Sequence, residues 1–254
     1  MLEGYGKREF SAPIRGGNQP HEVTHDVYSR GDQSATVVII QELPGIGPET
    51  LALADRFSEQ GYRVVLPHLF GPLGKISLAG NLFRVFCMRK EFTLFSKNES
   101  SPIVDWLKAL CRDLKENHGA GGIGVIGMCL TGNFAMSLMA DDNVLAGVAS
   151  QPSMPFRGHG DLHMSPEEVS DARQRLTEEG AMIALRFEGD FLCTGEKFAA
   201  IKDAFNDETE RVRLIELPGK GHSVLTLDFI KGGEPAEDAF QAVLSYFESK
   251  LKAA

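Results

Sequence analysis

The chain has 254 residues, of which 43% are hydrophobic and 24% are charged, the balance of a globular protein that can bury a sizeable core. It carries 26 Lys and Arg against 35 Asp and Glu, so its formal net charge is -9. This charge argues against non-specific binding to nucleic acid or to an anionic membrane surface.

The first residues lack the apolar region of a signal peptide, and no apolar stretch approaches the roughly 20 residues of a spanning helix. We therefore expect neither export nor a membrane span. The four cysteines show no metal-like spacing, which is typical of a reduced cytoplasmic protein without a disulfide framework. They are Cys87, Cys111, Cys129 and Cys193.

Strand and helix patterns alternate along the chain, which predicts an α/β fold with a mostly parallel sheet and helices on both faces. The elements predicted in the first half are a strand at 21–28, a buried strand TVVIIQE at 36–42, a helix that ends at Gly61, a strand YRVVLP at 62–67, and a helix at 101–117 with Ser101 as its N-cap. Between the last two, residues 69–100 mix Gly, Pro, Phe and basic residues, and this irregular pattern predicts a cap-like insertion over the sheet edge.

The second half continues the alternation, and no repeat or linker interrupts it. Its predicted elements are an elbow strand and helix within 123–136, a strand LAGVASQP at 145–152, a helix opened by a capping box at Ser165 and Glu168, a strand ending at Asp190, a helix at 196–205, a strand RVRLIELPG at 211–219, and an amphipathic helix at about 235–252. We therefore expect one domain over residues 1–254.

The stretch GVIGMCLTGNFAM, residues 124–136, contains a candidate nucleophile. A buried strand that turns sharply into a helix around G-x-S-x-G is the nucleophile elbow of α/β-hydrolases, and here the pattern reads G-x-C-x-T-G. Cys129 is thus either a thiol nucleophile or a small apolar residue at a tight turn.

Four candidate site residues follow the ends of different predicted strands: Glu42, Cys129, Asp190 and His222. Active sites of open α/β sheets form outside the carboxyl ends of the strands. The order nucleophile, acid, histidine is also that of an α/β-hydrolase triad. Taken singly, Asp190 is a common turn residue and His222 fits a solvent-facing loop, but the joint pattern favours catalysis.

The chemistry requires these residue types. A thiolate attacks, a neighbouring imidazole takes the thiol proton, and a carboxylate holds the imidazole in the right tautomer. The oxyanion would lie against the backbone N–H groups of Leu43 and Leu130. Glu42 is either a further member of the site or a loop partner of the following helix.

A metal site is not expected. His159 and His163 are four residues apart, a spacing that zinc ligands use on a helix, but Gly158 and Gly160 argue against a helix there. We expect this stretch to be a loop.

The segments QELPG, GMCLTG, RFEGD and GKGH resemble those of the dienelactone hydrolase (carboxymethylenebutenolidase) family, and the similarity covers most of the chain. The resemblance implies an α/β-hydrolase fold, a Cys-Asp-His triad, hydrolysis of an enol-lactone and no cofactor. It implies that Glu42 contacts the resting thiol and moves when substrate binds. It also implies oxyanion donors at Leu43 and Leu130.

The sequence departs from the family at two places. Thr131 stands where a second elbow glycine is common. The arginine that holds the substrate carboxylate, shortly after the histidine in well-studied members, has no counterpart in SVLTLDF. Arg84 and Arg89 in the insertion are the candidates to replace it.

The leading interpretation is a hydrolase of a small ester or lactone that forms a cysteinyl acyl-enzyme, as a monomer or weak homo-oligomer. Glutamine amidotransferases share a cysteine elbow but carry a glutamate two residues after the histidine, where this chain has Val224. The alternative from another class is a small-molecule binding or receptor protein that keeps the pocket without turnover.

Overall fold

The computed structural model describes residues 2–14, 21–43, 45–71, 73, 101–154 and 160–252. The predicted insertion at 69–100 therefore lies outside the described residues from position 74 onwards. The described residues form an α/β fold, as the alternating sequence pattern predicts.

In the part of the chain that the structure describes, eight strands form one sheet. They are β1 (Gly6–Ile14), β2 (His21–Arg30), β3 (Ala35–Ile40), β4 (Arg63–His68), β5 (Gly122–Met128), β6 (Ala146–Ser150), β7 (Met182–Phe187) and β8 (Val212–Leu217).

Six helices connect and cover these strands in the described ranges. They are α1 (Pro48–Glu59), α2 (Pro102–Asn117), α3 (Leu130–Leu138), α4 (Pro166–Glu179), α5 (Gly195–Phe205) and α6 (Phe229–Leu251).

The strand order is β1-β2-β4-β3-β5-β6-β7-β8. The β1–β2 and β2–β4 pairs are antiparallel, and all other pairs are parallel. The central strands β3 and β5 are buried along their whole length, because helices cover both faces. The candidate site lies at the carboxyl ends of these central strands.

The side chains of β3 alternate between two cores. Val38 and Ile40 pack in the core beneath α2, α3, α4 and α5, whereas Val37 and Ile39 pack in the core beneath α1 and α6. Each core is apolar and almost fully buried. The two layers of helices hold the strand ends in fixed register, and a rigid frame of this kind can support a site in the loops.

Helix caps agree with the sequence. The Ser101 side chain accepts a hydrogen bond from the N–H of Ile103 at 3.3 Å. Ser165 and Glu168 form the predicted capping box, with both reciprocal hydrogen bonds present.

Strand β1 was not predicted from the sequence. Most of its side chains are exposed or half-buried, so its apolar signal is weak. It is held by β2 and by α2, where Arg8 pairs with Asp113 at 2.6 Å and the Phe10 ring meets Trp106 edge-on.

The last helix begins earlier than its predicted start near residue 235. Gly233 has φ 56, and Pro235 follows, so α6 is kinked there and its first turn precedes the predicted segment. Among the described residues, no helix is both long enough and apolar enough to cross a membrane.

Candidate active site

Cys129 lies at the sharp turn between β5 and α3. Its backbone has φ 57 and ψ -122, a left-handed conformation that a residue other than glycine rarely adopts. The turn is tight enough that a side chain on Gly127 would collide with the carbonyl of Thr131. The backbone is therefore strained at Cys129, the candidate nucleophile.

Thr131 replaces the common glycine without opening the turn. Its hydroxyl accepts a hydrogen bond from the N–H of Met128 at 2.8 Å and lies 3.0 Å from the carbonyl oxygens of Ile40 and Met128, to which it can donate. The side chain is fully buried. This hydroxyl links β3 to the elbow, so the departure from the family pattern adds a tie between the two strands.

The strand register brings Glu42 and Cys129 to neighbouring loops. Ile40 pairs with Gly127 in parallel β3 and β5, and each candidate follows two residues later. Leu130 is the first residue of α3, where backbone N–H groups have no acceptor within the helix. Leu43 is half-buried in the adjacent loop. The two predicted oxyanion donors thus follow the carboxyl ends of the neighbouring strands β3 and β5.

His222 and Asp190, which follow β8 and β7, form a pair in which the Asp190 side chain is buried and the His222 side chain is half-buried. His222 Nδ1 lies 2.7 Å from Asp190 Oδ2. Asp190 Oδ1 accepts backbone N–H groups from Leu192 at 2.8 Å and Cys193 at 3.1 Å. The Asp190 side chain is fully buried, so these donors replace the water that the carboxylate loses.

The loop that carries His222 is anchored from its backbone. Asp228, at the N-terminal end of α6, accepts the N–H of His222 at 2.9 Å and that of Ser223 at 3.2 Å. Its carboxyl pKa is lowered, although partial burial opposes the shift, because these two N–H donors stabilise the charge. The imidazole is therefore held from both its ring and its main chain.

The second ring nitrogen, His222 Nε2, is buried and has no regular hydrogen bond within the described ranges. Burial alone would lower the pKa of His222, but hydrogen bonding to Asp190 and interaction with the Cys129 thiol raise it to about 10. The Asp190 carboxylate stabilises an imidazolium at this position, because a nearby opposite charge favours the charged form. A raised pKa makes the ring a better proton acceptor.

Glu42 is buried among hydroxyl and amide donors. Its Oε2 accepts from Ser223 Oγ at 2.8 Å and from Gln151 Nε2 at 3.3 Å, and its Oε1 accepts from Thr226 Oγ1. Burial raises the pKa of Glu42, and the three donors and His222 only partly offset this effect. None of its hydrogen bonds to the described residues goes to the Cys129 thiol, so the predicted contact with the resting thiol is not seen.

Sequence reasoning missed the residues that surround these candidates. Gln151 follows β6 with φ 37 and joins two loops, since its amide oxygen accepts the N–H of Val224 at 3.3 Å while its nitrogen reaches Glu42. Ser153 Oγ donates to Cys129 Sγ at 3.4 Å. The contact pairs are far apart in sequence, and only the strand order brings them together.

Two further predictions concern the arginines of the insertion and the pair of histidines four residues apart. Arg84, Arg89 and His159 lie outside the described residues, so their roles stay predictions. His163 is buried with φ 58, and in the described part of the chain no group of three or more His, Cys, Asp or Glu side chains could hold a metal ion.

A family model described as the dienelactone hydrolase family matches residues 26–251. No curated protein sequence matches the chain significantly.

Solved structures share the fold at low sequence identity. A dienelactone hydrolase-like promiscuous phosphotriesterase from metagenomic libraries has a TM-score of 0.67 at 12% identity, covering 96% of this chain and 98% of that one. A dienelactone hydrolase from Anabaena variabilis has a TM-score of 0.57 at 15% identity, covering 96% and 99%. Carboxyl esterase 2 from Tuber melanosporum has a TM-score of 0.58 at 12% identity, covering 98% and 89%.

Proposed function

This chain belongs to the dienelactone hydrolase family and is a carboxylic-ester hydrolase, and we propose that it works through a Cys129–Asp190–His222 triad. The observation that carries the proposal is the geometry of His222, whose Nδ1 lies 2.7 Å from Asp190 Oδ2 and whose ring interacts with the Cys129 thiol at the strained elbow. The substrate is a small ester or lactone.

The first half of the reaction forms the acyl-enzyme. The Cys129 thiol gives its proton to His222 Nε2, and the thiolate attacks the carbonyl carbon of the substrate. The carbonyl π electrons move to oxygen, and the N–H groups of Leu130 and Leu43 would stabilise the oxyanion. As the intermediate collapses, His222 returns the proton to the leaving oxygen, and a thioester remains on the sulfur.

The second half hydrolyses the thioester. His222 Nε2 takes a proton from water, and the oxygen attacks the acyl carbon. Collapse of this intermediate releases the carboxylic acid and the thiolate. Asp190 keeps Nδ1 protonated throughout, so that Nε2 is free to act as base and acid in turn.

In this proposal Glu42 assists catalysis through the loop that carries His222. Its carboxylate interacts electrostatically with His222 and is tied to the same loop through Ser223 and Thr226. When Glu42 is ionised, its negative charge favours the imidazolium that pairs with the thiolate. The role is therefore to position and polarise the histidine loop.

Replacement of the nucleophile tests the proposal. Cys129→Ala should lower kcat/KM for p-nitrophenyl acetate by several orders of magnitude, since the proposed nucleophile is lost and only the residual catalysis of the remaining groups is left. Cys111→Ala and Cys193→Ala are matched controls and should keep most activity. Burial raises the pKa of both of these thiols, so neither is a ready nucleophile.

Two results would redirect the assignment. Full activity of folded Cys129→Ala would exclude the thiol mechanism. A single stoichiometric release of p-nitrophenol by the wild-type chain, with no further turnover on any ester or lactone, would instead support the binding-protein alternative.

A further inference from the structure

A serine that the triad does not include lies directly against the nucleophile. Ser153 is three residues beyond β6, is almost fully buried, and donates from Oγ to Cys129 Sγ at 3.4 Å. We propose that Ser153 is a catalytic residue that stabilises the Cys129 thiolate through this hydrogen bond. The inference rests on the proposed function and adds a fourth group to the reacting atoms.

The position of Ser153 is fixed by its main chain. Its N–H donates to the carbonyl of Cys129 at 3.1 Å, and its carbonyl accepts from Asn133 Nδ2 at 3.1 Å. The same Asn133 nitrogen donates to the carbonyl of Leu130 at 3.1 Å. Both sides of the elbow thus hold the serine, and the hydroxyl is in place before the sulfur becomes charged.

Packing supports the same arrangement. A side chain on Gly132 would come within 2.9 Å of Pro152 Cα, so the segment carrying Ser153 lies against the first turn of α3. The glycine at this position lets the backbone approach the elbow closely. A larger residue there would push the serine away from the thiol.

The direction of the hydrogen bond determines its effect. A thiolate accepts hydrogen bonds more strongly than a thiol, and a bond to the charged form of a group favours that form. When the thiol proton moves to His222 Nε2, Ser153 keeps its own proton and donates it to the anionic sulfur. After attack the sulfur is bonded to the acyl carbon, is no longer an anion, and accepts only weakly.

Ser153 is a donor here and not a second nucleophile. Within the described ranges the recorded hydrogen-bond partner of its hydroxyl is the Cys129 sulfur, and no imidazole or carboxylate accepts from it. Activation of a serine requires such a base. The two side chains therefore have separate roles.

The test measures the thiol itself. The rate at which iodoacetamide alkylates Cys129 is followed against pH by peptide mass spectrometry, in wild type and in Ser153→Ala. Loss of the donor should raise the midpoint of this profile by about one pH unit, so that about tenfold less thiolate is present at a pH well below both midpoints. The kcat/KM for an ester should fall about tenfold at that pH and recover at alkaline pH.

Ser137→Ala is the matched control. Ser137 is a buried serine in α3 whose hydroxyl has no hydrogen-bond partner in the described structure, so the variant removes the same atom without removing a donor to sulfur. Its alkylation midpoint should equal that of wild type. Ser153→Thr keeps the hydroxyl and should restore the midpoint, and Ser153→Gly serves if the alanine variant does not fold.

An unchanged midpoint in a folded Ser153→Ala or Ser153→Gly variant would overturn the proposal, as would an equal shift in Ser137→Ala. Alkylation does not depend on turnover. If Cys129→Ala proved active, the proposed function would fail while the alkylation profile still reported on the hydrogen bond between Ser153 and Cys129.

Discussion

Two buried carboxylates, Glu42 and Asp190, follow the carboxyl ends of parallel strands, and their surroundings differ. Asp190 accepts two backbone N–H groups and pairs with His222 at 2.7 Å. Glu42 accepts hydrogen bonds from side-chain hydroxyls and an amide, and its interaction with His222 is electrostatic. Their places at strand ends are alike, but only Asp190 touches the imidazole.

The difference separates two roles for a buried acid. Fixed N–H donors and a direct partner on the ring suit Asp190 to hold one histidine tautomer. Rotatable hydroxyl donors leave Glu42 with incomplete compensation, so burial raises its pKa. Position at a strand end identifies a candidate, and its hydrogen-bond partners decide what the candidate can do.

Removal of the Asp190 charge should have the larger effect. Asp190→Asn preserves the shape of the pair but favours the wrong tautomer of His222, and comparable triads lose on the order of 10⁴ in kcat. Steady-state kinetics with an ester substrate measure the loss. Glu216→Gln is the control, since this acid is half-exposed and pairs with Arg186 away from the ring.

A loss smaller than about tenfold in Asp190→Asn, roughly 1.4 kcal/mol, would show that another carboxylate orients the histidine. Glu42 would then be the first candidate, because His222 lies within its field. The comparison between the two acids would be reversed.

Glu42→Gln should cost less, about tenfold in kcat, because the amide oxygen can still accept from Ser223 but the charge that favours the imidazolium is lost. The pH–rate profile should also shift, since the thiolate–imidazolium pair loses a stabilising charge. An unchanged profile would return Glu42 to a purely structural role in its loop.

The stability of Glu42→Gln should depend on pH in a defined direction. Burial raises the pKa of Glu42 above its usual 4.5, so the folded state holds this proton more tightly than the unfolded state. The contribution is present below pH 4.5 and is lost as pH rises through the folded pKa. The variant lacks this titration, so its free energy of unfolding should rise relative to wild type over that range.

Urea unfolding at several pH values above 4.5 measures this difference. The Glu216→Gln variant is the control for the loss of one glutamate at a half-exposed position. A constant difference between Glu42→Gln and wild type would mean that Glu42 keeps the same charge in both states.

The sheet and the elbow were predictable because their signals are local. A continuous β-branched run marks β3, and glycines on both sides of Cys129 mark a sharp turn. Strand β1 was missed because its mostly exposed side chains give no apolar run. Local pattern therefore predicts the central sheet better than its edge.

The surroundings of the site were less predictable. Ser153, Ser223 and Thr226 are hydroxyl residues of a kind common in loops, and Thr226 meets Glu42 across 184 positions of sequence. Lys197 is fully buried and donates to loop carbonyls, which no charge pattern would indicate. Such partners are set by the order of strands in the sheet.

The most direct test of the central claim is to trap the acyl group. Wild-type protein is mixed with p-nitrophenyl acetate, quenched with acid during the burst, digested and mapped by mass spectrometry. The account predicts an acetyl thioester on the peptide that contains Cys129, and none in Cys129→Ala. An acetyl group on Ser153 or on any other residue, with Cys129 unmodified during undiminished turnover, would contradict it.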